Sequence, residues 1–136
     1  MARDEITVHI PEQEQSQSVE IKQITKKAVT QANGIKIKKA LDNKNNSLQI
    51  YVENTYETAD STLTVKAGDN YPNAMLGDLT LPLTKAASNA PTLYVLLLED
   101  ISRFENRDGS IDLDFSTGFT GNVWASAKRV GMKPVA

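Results

Sequence analysis

Apolar and polar residues alternate one by one over much of this 136-residue chain. In the segment 47–53, apolar residues at positions 48, 50 and 52 alternate with Gln49, Tyr51 and Glu53. Successive side chains of a β-strand point to opposite faces, so a period of two predicts a strand with one buried face. The same alternation recurs at 62–67, 79–83, 111–115 and 122–130. Strands of this kind predict an all-β fold, a single antiparallel β-sandwich or barrel-like domain.

Three segments carry further structural signals. Residues 92–98 are apolar on both faces, which predicts a central strand with its second face covered, and another protein subunit is one candidate for that cover. Pro82 has no backbone N–H, so its strand is expected at a sheet edge or with a bulge. The Asp108-Gly109 pair predicts a hairpin turn between 101–104 and 111–115.

The N-terminus is expected to form an extended arm, residues 1–20, ahead of a β-sandwich domain formed by residues 21–136. Its first apolar positions alternate with polar ones, and a polar tract follows at 12–18. A short strand on a polar linker can pair with an exposed sheet edge of another protein. The alternative is that the strand folds back onto its own sheet. The candidate contact residues of the arm are Ile6, Val8 and Ile10.

The composition removes several classes of function. The chain has no cysteine and a single histidine, His9, so thiolate catalysis, iron–sulfur clusters and thiolate zinc sites are excluded, and we expect no cofactor. Its 15 basic and 17 acidic residues give a net charge of −2, which does not predict nucleic-acid binding. The longest strongly apolar run, 94–98, is far shorter than the about twenty residues that cross a membrane. We therefore expect a protein that is not an enzyme and that binds neither nucleic acid nor membranes.

Two acidic arrangements have both a chemical and a structural interpretation. Asp112 and Asp114 share one strand face and can be compared with the acid–base pair of glycoside hydrolases, but a solvated strand face is the simpler interpretation. The segment 106–112 is rich in oxygen ligands and weakly resembles a calcium loop. It lacks the late glutamate of an EF-hand, and a hairpin turn accounts for the same residues.

Residues that favour protein contact cluster in two segments. The loop 70–76 is expected to be exposed, and exposed Tyr and Met are enriched at protein interfaces. Capping the end of the core is an equally good interpretation of these residues. The segment 99–108 mixes both charges, and its arginines can bind carboxylates at an interface rim or lie on an ordinary charged surface. The candidate contact residues of the two segments are Tyr71, Met75, Leu76, Arg103 and Arg107.

Several strand and turn segments follow one another in a recognisable order between residues 24 and 130. They are 32–35, 48–55, 63–69, 76–81, 99–104, 108–115 and 117–123. In this order the chain resembles the small all-β head decoration, or cement, proteins of tailed bacteriophages. The resemblance implies a virion protein that is assembled in the bacterial cytoplasm and sits on the outside of the capsid. It further implies a homo-oligomer, with a trimer favoured, that binds junctions between major capsid protein subunits and reinforces the shell.

A glycan-binding or host-adhesion module is the alternative function, because aromatic rings offer flat faces to sugars. Such a platform needs several rings on one exposed surface. The candidate rings are Tyr51, Tyr56, Tyr71, Tyr94 and Trp124. Aromatic residues make up only 6% of the chain, which favours the capsid interpretation.

Overall fold

Strands make up nearly all the regular structure in the computed structural model, which describes residues 2–9, 12–13, 20–21, 23–38, 48–69, 73–98 and 102–127. The strands within these residues are β1 (Asp4–His9), β2 (Glu12–Gln13), β3 (Glu20–Ile21), β4 (Lys27–Ala28), β5 (Ile35–Lys38), β6 (Leu48–Asn54), β7 (Ser61–Val65), β8 (Leu79–Leu83), β9 (Thr92–Leu98), β10 (Ile111–Phe115) and β11 (Gly121–Ala127). A short 3-10 helix, Asn73–Leu76, precedes β8. The described residues contain no helix that is long and apolar enough to cross a membrane. The predicted all-β class is confirmed.

One curled sheet forms a half-barrel. Its strand order is β8-β7-β10-β5-β1-β11-β6-β9, and β4 pairs with β11 beside this path. The strands on either side of β1 pair in antiparallel fashion, as the alternating sequence pattern predicts. β1 itself runs parallel to both of its neighbours, so the sheet is mixed. β2 and β3 form a separate two-stranded ribbon.

The core is formed by the inward-facing side chains of the alternating strands. In β6, Leu48, Ile50 and Val52 are fully buried, while the residues between them are only half-buried. The same alternation is present in β7, β10 and β11. Phe104, from the loop before β10, also enters the core. The predicted one-sided strands are therefore confirmed.

β1 is inserted between the two antiparallel halves of the sheet. Residues 4–7 pair with β5, and Val8 and His9 pair with β11. Before the strand begins, the Arg3 side chain donates a hydrogen bond to the backbone oxygen of Leu113 at 2.9 Å. β1 therefore joins two groups of strands that have no other described pairing with each other.

This position of β1 decides between the two interpretations of the N-terminus. Ile6 is only 9% exposed and belongs to the core, and Val8 packs against the core. The structure thus shows a strand folded onto its own sheet, and residues 4–9 do not form a separate arm. In this arrangement Ile6 is buried in the core and Val8 is half-buried against it, so these side chains serve the fold of their own chain. The third candidate of the arm, Ile10, lies outside the described residues.

β8 and β9 form the two edges of the sheet. The edge position predicted from Pro82 is confirmed, because this proline lies in β8. The central position predicted for 92–98 is wrong, because β9 pairs with β6 on one side and has no described strand on the other. An edge strand with an uncovered apolar face has the same residue pattern as a strand covered on both faces. The sequence pattern therefore could not separate the two.

The Asp108-Gly109 turn closes a short loop and not a β-hairpin. Residues 102–104 form a turn where the first hairpin strand is predicted. The backbone N–H of Asn106 donates to the oxygen of Ser110 at 2.8 Å, and that of Gly109 donates to the oxygen of Asn106 at 2.9 Å. The turn itself is present, but the predicted hairpin is wrong.

The substitution Ile6→Ala tests whether β1 belongs to the folded core. It would leave a cavity between the two halves of the sheet, and we expect the free energy of unfolding to fall by about 2–4 kcal/mol. Thr7→Ala is the matched control, because Thr7 is exposed on the same strand, and its expected cost is below about 1 kcal/mol. Urea denaturation followed by circular dichroism measures both values. Equal losses in the two variants would contradict the docking of β1.

Candidate functional site

The described residues contain no group of three or more His, Cys, Asp or Glu side chains placed to hold a metal ion. The ring of His9, on β1, lies between two backbone groups. Its Nδ1 is 3.0 Å from the backbone oxygen of Ala125, and its Nε2 accepts the N–H of Thr25 at 3.3 Å. These contacts require the neutral ring with its proton on Nδ1. Both nitrogens of His9 are therefore used to hold neighbouring segments together.

The carboxylates of Asp112 and Asp114 are bound to Arg3. The guanidinium of Arg3 forms a salt bridge with Asp114, and its Nε lies 3.7 Å from Oδ1 of Asp112. The hydrogen bond to Asp114 is the main cause of a raised pKa at Arg3, which keeps this group charged. A glycoside hydrolase needs its two carboxyl groups free on either side of a cleft. Here the guanidinium of Arg3 binds both carboxylates on the face of the sheet. The arrangement therefore supports the interpretation of Asp112 and Asp114 as part of a charged strand face.

Asp108 is bound within its own turn. Its Oδ1 accepts hydrogen bonds from the hydroxyl of Ser110 at 2.6 Å and from the backbone N–H of Ser110 at 3.0 Å. The hydroxyl contact is the main cause of a pKa below the usual range at Asp108, and the backbone contact acts in the same direction. The side chain of Asn106 donates to the Ser110 hydroxyl at 3.2 Å and to Asp112 at 3.3 Å. The oxygen-rich loop is thus stabilised by its own donors, as a turn requires.

The outer face of the sheet differs between the two sides of β1. On the side of β5, β10, β7 and β8, the outward side chains are polar or charged, apart from Pro82. They are Lys36, Lys38, Thr62, Thr64, Thr80, Asp112 and Asp114. On the side of β11, β6 and β9, the outer face carries Trp124, Tyr51 and the aliphatic residues of β9, together with the polar residues Gln49, Glu53, Asn122 and Ser126. A polar outer face is usual for an antiparallel sheet, whereas an apolar one indicates contact with another molecule.

β9 carries the first of two exposed apolar surfaces. Leu93, Val95 and Leu97 are 68%, 59% and 53% exposed, and we call these three residues the β9 stripe. Tyr94 and Leu96, which alternate with them, pack against the core. The strand contains no charged residue and no proline. The β9 stripe therefore combines an apolar face with an unpaired strand edge.

Tyr51 and Trp124 lie next to the β9 stripe on the outer face. The strand register places Trp124 beside Tyr51, and Tyr51 beside Val95. The two rings are parallel within 6°, with their centroids 5.5 Å apart, and Nζ of Lys26 lies 6.0 Å from the centroid of the Trp124 ring. β4 and β6 flank β11 on opposite sides, so Lys26, which precedes β4, and Tyr51 approach Trp124 from opposite sides. The faces of the Trp124 ring are therefore occupied by neighbouring side chains.

The second exposed apolar surface lies in the 3-10 helix before β8. Met75 and Leu76 are 72% and 65% exposed, and we call these two residues the loop tip. Arg103 binds the backbone that follows them, donating from Nε to the oxygen of Gly77 at 3.1 Å and from Nη2 to that of Leu76 at 3.2 Å. A further bond reaches the oxygen of Asp78 at 3.4 Å. One planar charged group thus fixes three consecutive carbonyls.

Asp78 ties the loop tip to the end of β7. Its Oδ1 accepts the backbone N–H of Ala67 at 2.7 Å, and its Oδ2 accepts from Nζ of Lys66 at 2.8 Å. The bond from Lys66 is the main cause of a pKa below the usual value at Asp78, and the bond from Ala67 adds to it. The same contact raises the pKa of Lys66. The loop tip is therefore presented on a backbone held by two separate charged groups.

The contact residues predicted from the sequence have different positions. Met75 and Leu76 are exposed, and Arg107 is exposed on the loop before β10. The guanidinium of Arg103 is engaged by backbone oxygens of its own chain, so this residue positions the loop tip and does not offer its donors to a carboxylate of a partner. Tyr71 lies outside the described residues.

The β9 stripe is not among the candidate contact residues predicted from the sequence. A signal for it exists, because every residue of β9 after Thr92 is apolar or aromatic, which is more than a single core face requires. This pattern predicts a covered second face, with another protein subunit as one candidate for the cover, on a strand at the centre of a sheet. The structure places the strand at an edge and exposes that face.

The chain matches no protein-family model, no curated protein and no solved structure. The charges, exposures and contacts of its own surface therefore carry the information on function. Among the described residues, six large apolar side chains are exposed, and five of them belong to the β9 stripe and the loop tip. These two surfaces are the strongest candidates for a functional contact.

The substitution Arg103→Lys tests the clamp behind the loop tip. Lysine cannot donate to three carbonyls from one planar group, so we expect the amide hydrogens of residues 75–78 to exchange about tenfold faster. Arg107→Lys is the matched control, because it makes the same change at an exposed arginine of the same loop. Hydrogen exchange followed by mass spectrometry measures the effect. Unchanged exchange in Arg103→Lys would contradict the clamp.

The substitution Asp78→Asn tests the pH dependence of this contact. Folding lowers the pKa of Asp78, so the carboxylate stabilises the folded state above the unfolded pKa, and this stabilisation is lost as the pH falls through the folded pKa. We expect wild type to be more stable than Asp78→Asn at neutral pH and the difference to shrink steadily below about pH 4. Thermal unfolding at a series of pH values measures it. A constant difference down to strong acid would contradict the ionic contact.

Proposed function

We propose that this protein binds the outside of a tailed-bacteriophage capsid and stabilises the shell as a decoration protein. The observation that carries the proposal is the loop tip, a pair of large exposed apolar side chains whose backbone is held by hydrogen bonds from Arg103. Large exposed apolar residues in a group are typical of a surface that another protein covers. The order of strand and turn segments between residues 24 and 130, which resembles phage decoration proteins, supports this partner.

The loop tip is the proposed contact with the major capsid protein. Its exposed side chains, Met75 and Leu76, can fill apolar depressions between capsid subunits, and Met adapts its shape to an irregular surface. The hydrogen bonds from Arg103 fix the backbone before any partner arrives. A loop that is already ordered loses less conformational entropy on binding. The clamp therefore supports the loop tip as a pre-organised contact.

Shell stabilisation follows from binding to the assembled state. A ligand that binds one state and not its alternatives lowers the free energy of that state by mass action. A decoration protein that spans a junction between capsid subunits finds its complete site only in the assembled shell. We propose such a junction as the binding site and the virion exterior as the location. The resemblance favours a homo-oligomer, specifically a trimer, on this surface.

The ring geometry favours capsid binding over the alternative of a glycan-binding or adhesion module. A sugar stacks on a free aromatic face, but both faces of Trp124 have neighbours, Tyr51 and Lys26. The ring of Tyr94 packs against the core, and its hydroxyl accepts the N–H of Thr84 at 2.6 Å. Tyr56 is half-buried beside Gly118. Tyr51 and Trp124 thus stack on each other, while Tyr94 and Tyr56 lie apart from them and are packed or half-buried, which does not favour a sugar-binding platform.

Cosedimentation with purified phage heads tests the proposal. The heads come from the phage or prophage whose genome carries the gene for this chain, and they are prepared without the protein. We expect the wild-type protein to bind, and Leu76→Asp to bind at least about tenfold more weakly, because a charge would be buried against an apolar partner. Thr117→Asp, at an exposed turn outside both apolar surfaces, is the matched control and should bind as wild type does.

The possible results test the decoration function and the contact surface separately. If the folded wild-type protein does not bind the heads, the decoration function is wrong. If wild type binds and Leu76→Asp binds equally well, the function stands but the loop tip is not the contact.

A further inference from the structure

The two edges of the sheet are protected to different degrees. A sheet edge exposes unpaired backbone N–H and C=O groups, and proteins usually block it with proline or charged residues. β8 contains Pro82, whose missing N–H interrupts pairing at that edge. β9 presents seven residues, Thr92–Leu98, with neither a proline nor a charge. β9 is thus the edge that remains able to accept another strand.

The β9 stripe is arranged symmetrically along this edge. Leu93 and Leu97 lie two residues on either side of Val95, all on the outer face. If a second β9 pairs antiparallel about a two-fold axis at Val95, each Val95 lies opposite its own copy. Each Leu93 then lies opposite Leu97 of the second copy. An isologous contact needs a self-complementary surface of this kind.

We propose that β9 is a self-association surface, where two copies of this chain pair their β9 strands antiparallel and join their sheets. The occupant of the free edge is therefore a second copy of β9, with the aliphatic side chains of the two β9 stripes packed across the new strand pair.

The neighbouring rows of side chains agree with this pairing. In each copy, Trp124, Tyr51 and Val95 lie side by side across three strands. In the proposed pair the two Val95 side chains are neighbours, so the two rows join into one row of six side chains. Among the described residues, Glu53, which pairs with Leu93 in the strand register, is the nearest charge on this face. It is already bound to Nζ of Lys26 at 3.3 Å and to the side chain of Asn122 at 2.8 Å. Within the part of the chain that the structure describes, the pairing therefore brings no unneutralised like charges opposite one another.

The proposed contact is independent of capsid binding and leaves the loop tip on another part of the chain. Because it is isologous, it produces a dimer. The trimer favoured by the resemblance would need a different, heterologous contact, since a two-fold strand pair cannot close a ring of three. The oligomeric state of the purified chain, without phage heads, therefore tests this inference by itself.

Sedimentation equilibrium over a range of protein concentrations provides the test. We expect the wild-type chain to form a dimer and Val95→Lys to raise the dissociation constant roughly 100-fold, because two valine contacts are lost and two like charges meet at the axis. Thr80→Lys is the matched control, since it adds the same charge to the exposed outer face of the other edge strand. It should dimerise as wild type does. Leu97→Lys is a second variant of the stripe, expected to weaken the dimer as well.

Amide hydrogen exchange locates the contact. In the wild-type dimer, the amides of β9 should become more protected as protein concentration rises, and those of β8 should not. A wild-type chain that stays monomeric would overturn the inference, as would a trimer, or a dimer that survives both lysine substitutions in folded protein. A dimer without added protection in β9 would mean that the outer faces stack, which also contradicts strand pairing.

Discussion

The parallel insertion of β1 is the interaction on which the rest of the sheet depends. β5 and β11 do not pair with each other, and β1 forms backbone pairs with both of them, with β5 along its first part and with β11 at its end. Ile6 places an apolar side chain in the core at this point, while Arg3 binds β10 through Leu113 and Asp114. Without β1, two inner strands would become open edges, each with unpaired hydrogen-bonding groups.

This insertion also explains why the two outer faces differ. Arg3, carried just before β1, needs carboxylate partners, and Asp112 and Asp114 supply them on the β10 side. Lys66 and Asp78 extend the same charged surface. Among the described residues the other half has the Lys26–Glu53 pair, and its outer face combines Trp124, Tyr51 and the β9 stripe with Gln49, Glu53, Asn122 and Ser126. Charged pairs are therefore concentrated beside β10, and the exposed apolar side chains lie at the β9 edge.

The sequence predicts which residues of a strand are buried better than it predicts which strands are neighbours. Alternation in β6, β7, β10 and β11 fixes the buried face, because side-chain direction is a local property of a strand. The partner of a strand is set by contacts between distant segments. Ile6 and Val8 alternate equally well in a free arm and in an inserted strand. Arg103 illustrates the same limit, because its charge suggests a salt bridge while its donors bind backbone oxygens that only the folded loop brings near.

The apolar residue pattern of β9 indicates that both of its faces are covered, but it does not identify what covers them. An apolar residue at nearly every position indicates that both faces of a strand are covered, and that inference holds whether the second cover is part of the same chain or of another molecule. The structure supplies the missing fact, that no described strand or loop lies over the β9 stripe. The contrast with β8, where Pro82 blocks pairing, supports the proposed strand pairing at β9. An unguarded apolar edge promotes aggregation in a chain that leaves it open. The proposed second copy of β9 would occupy this edge and remove it from solvent.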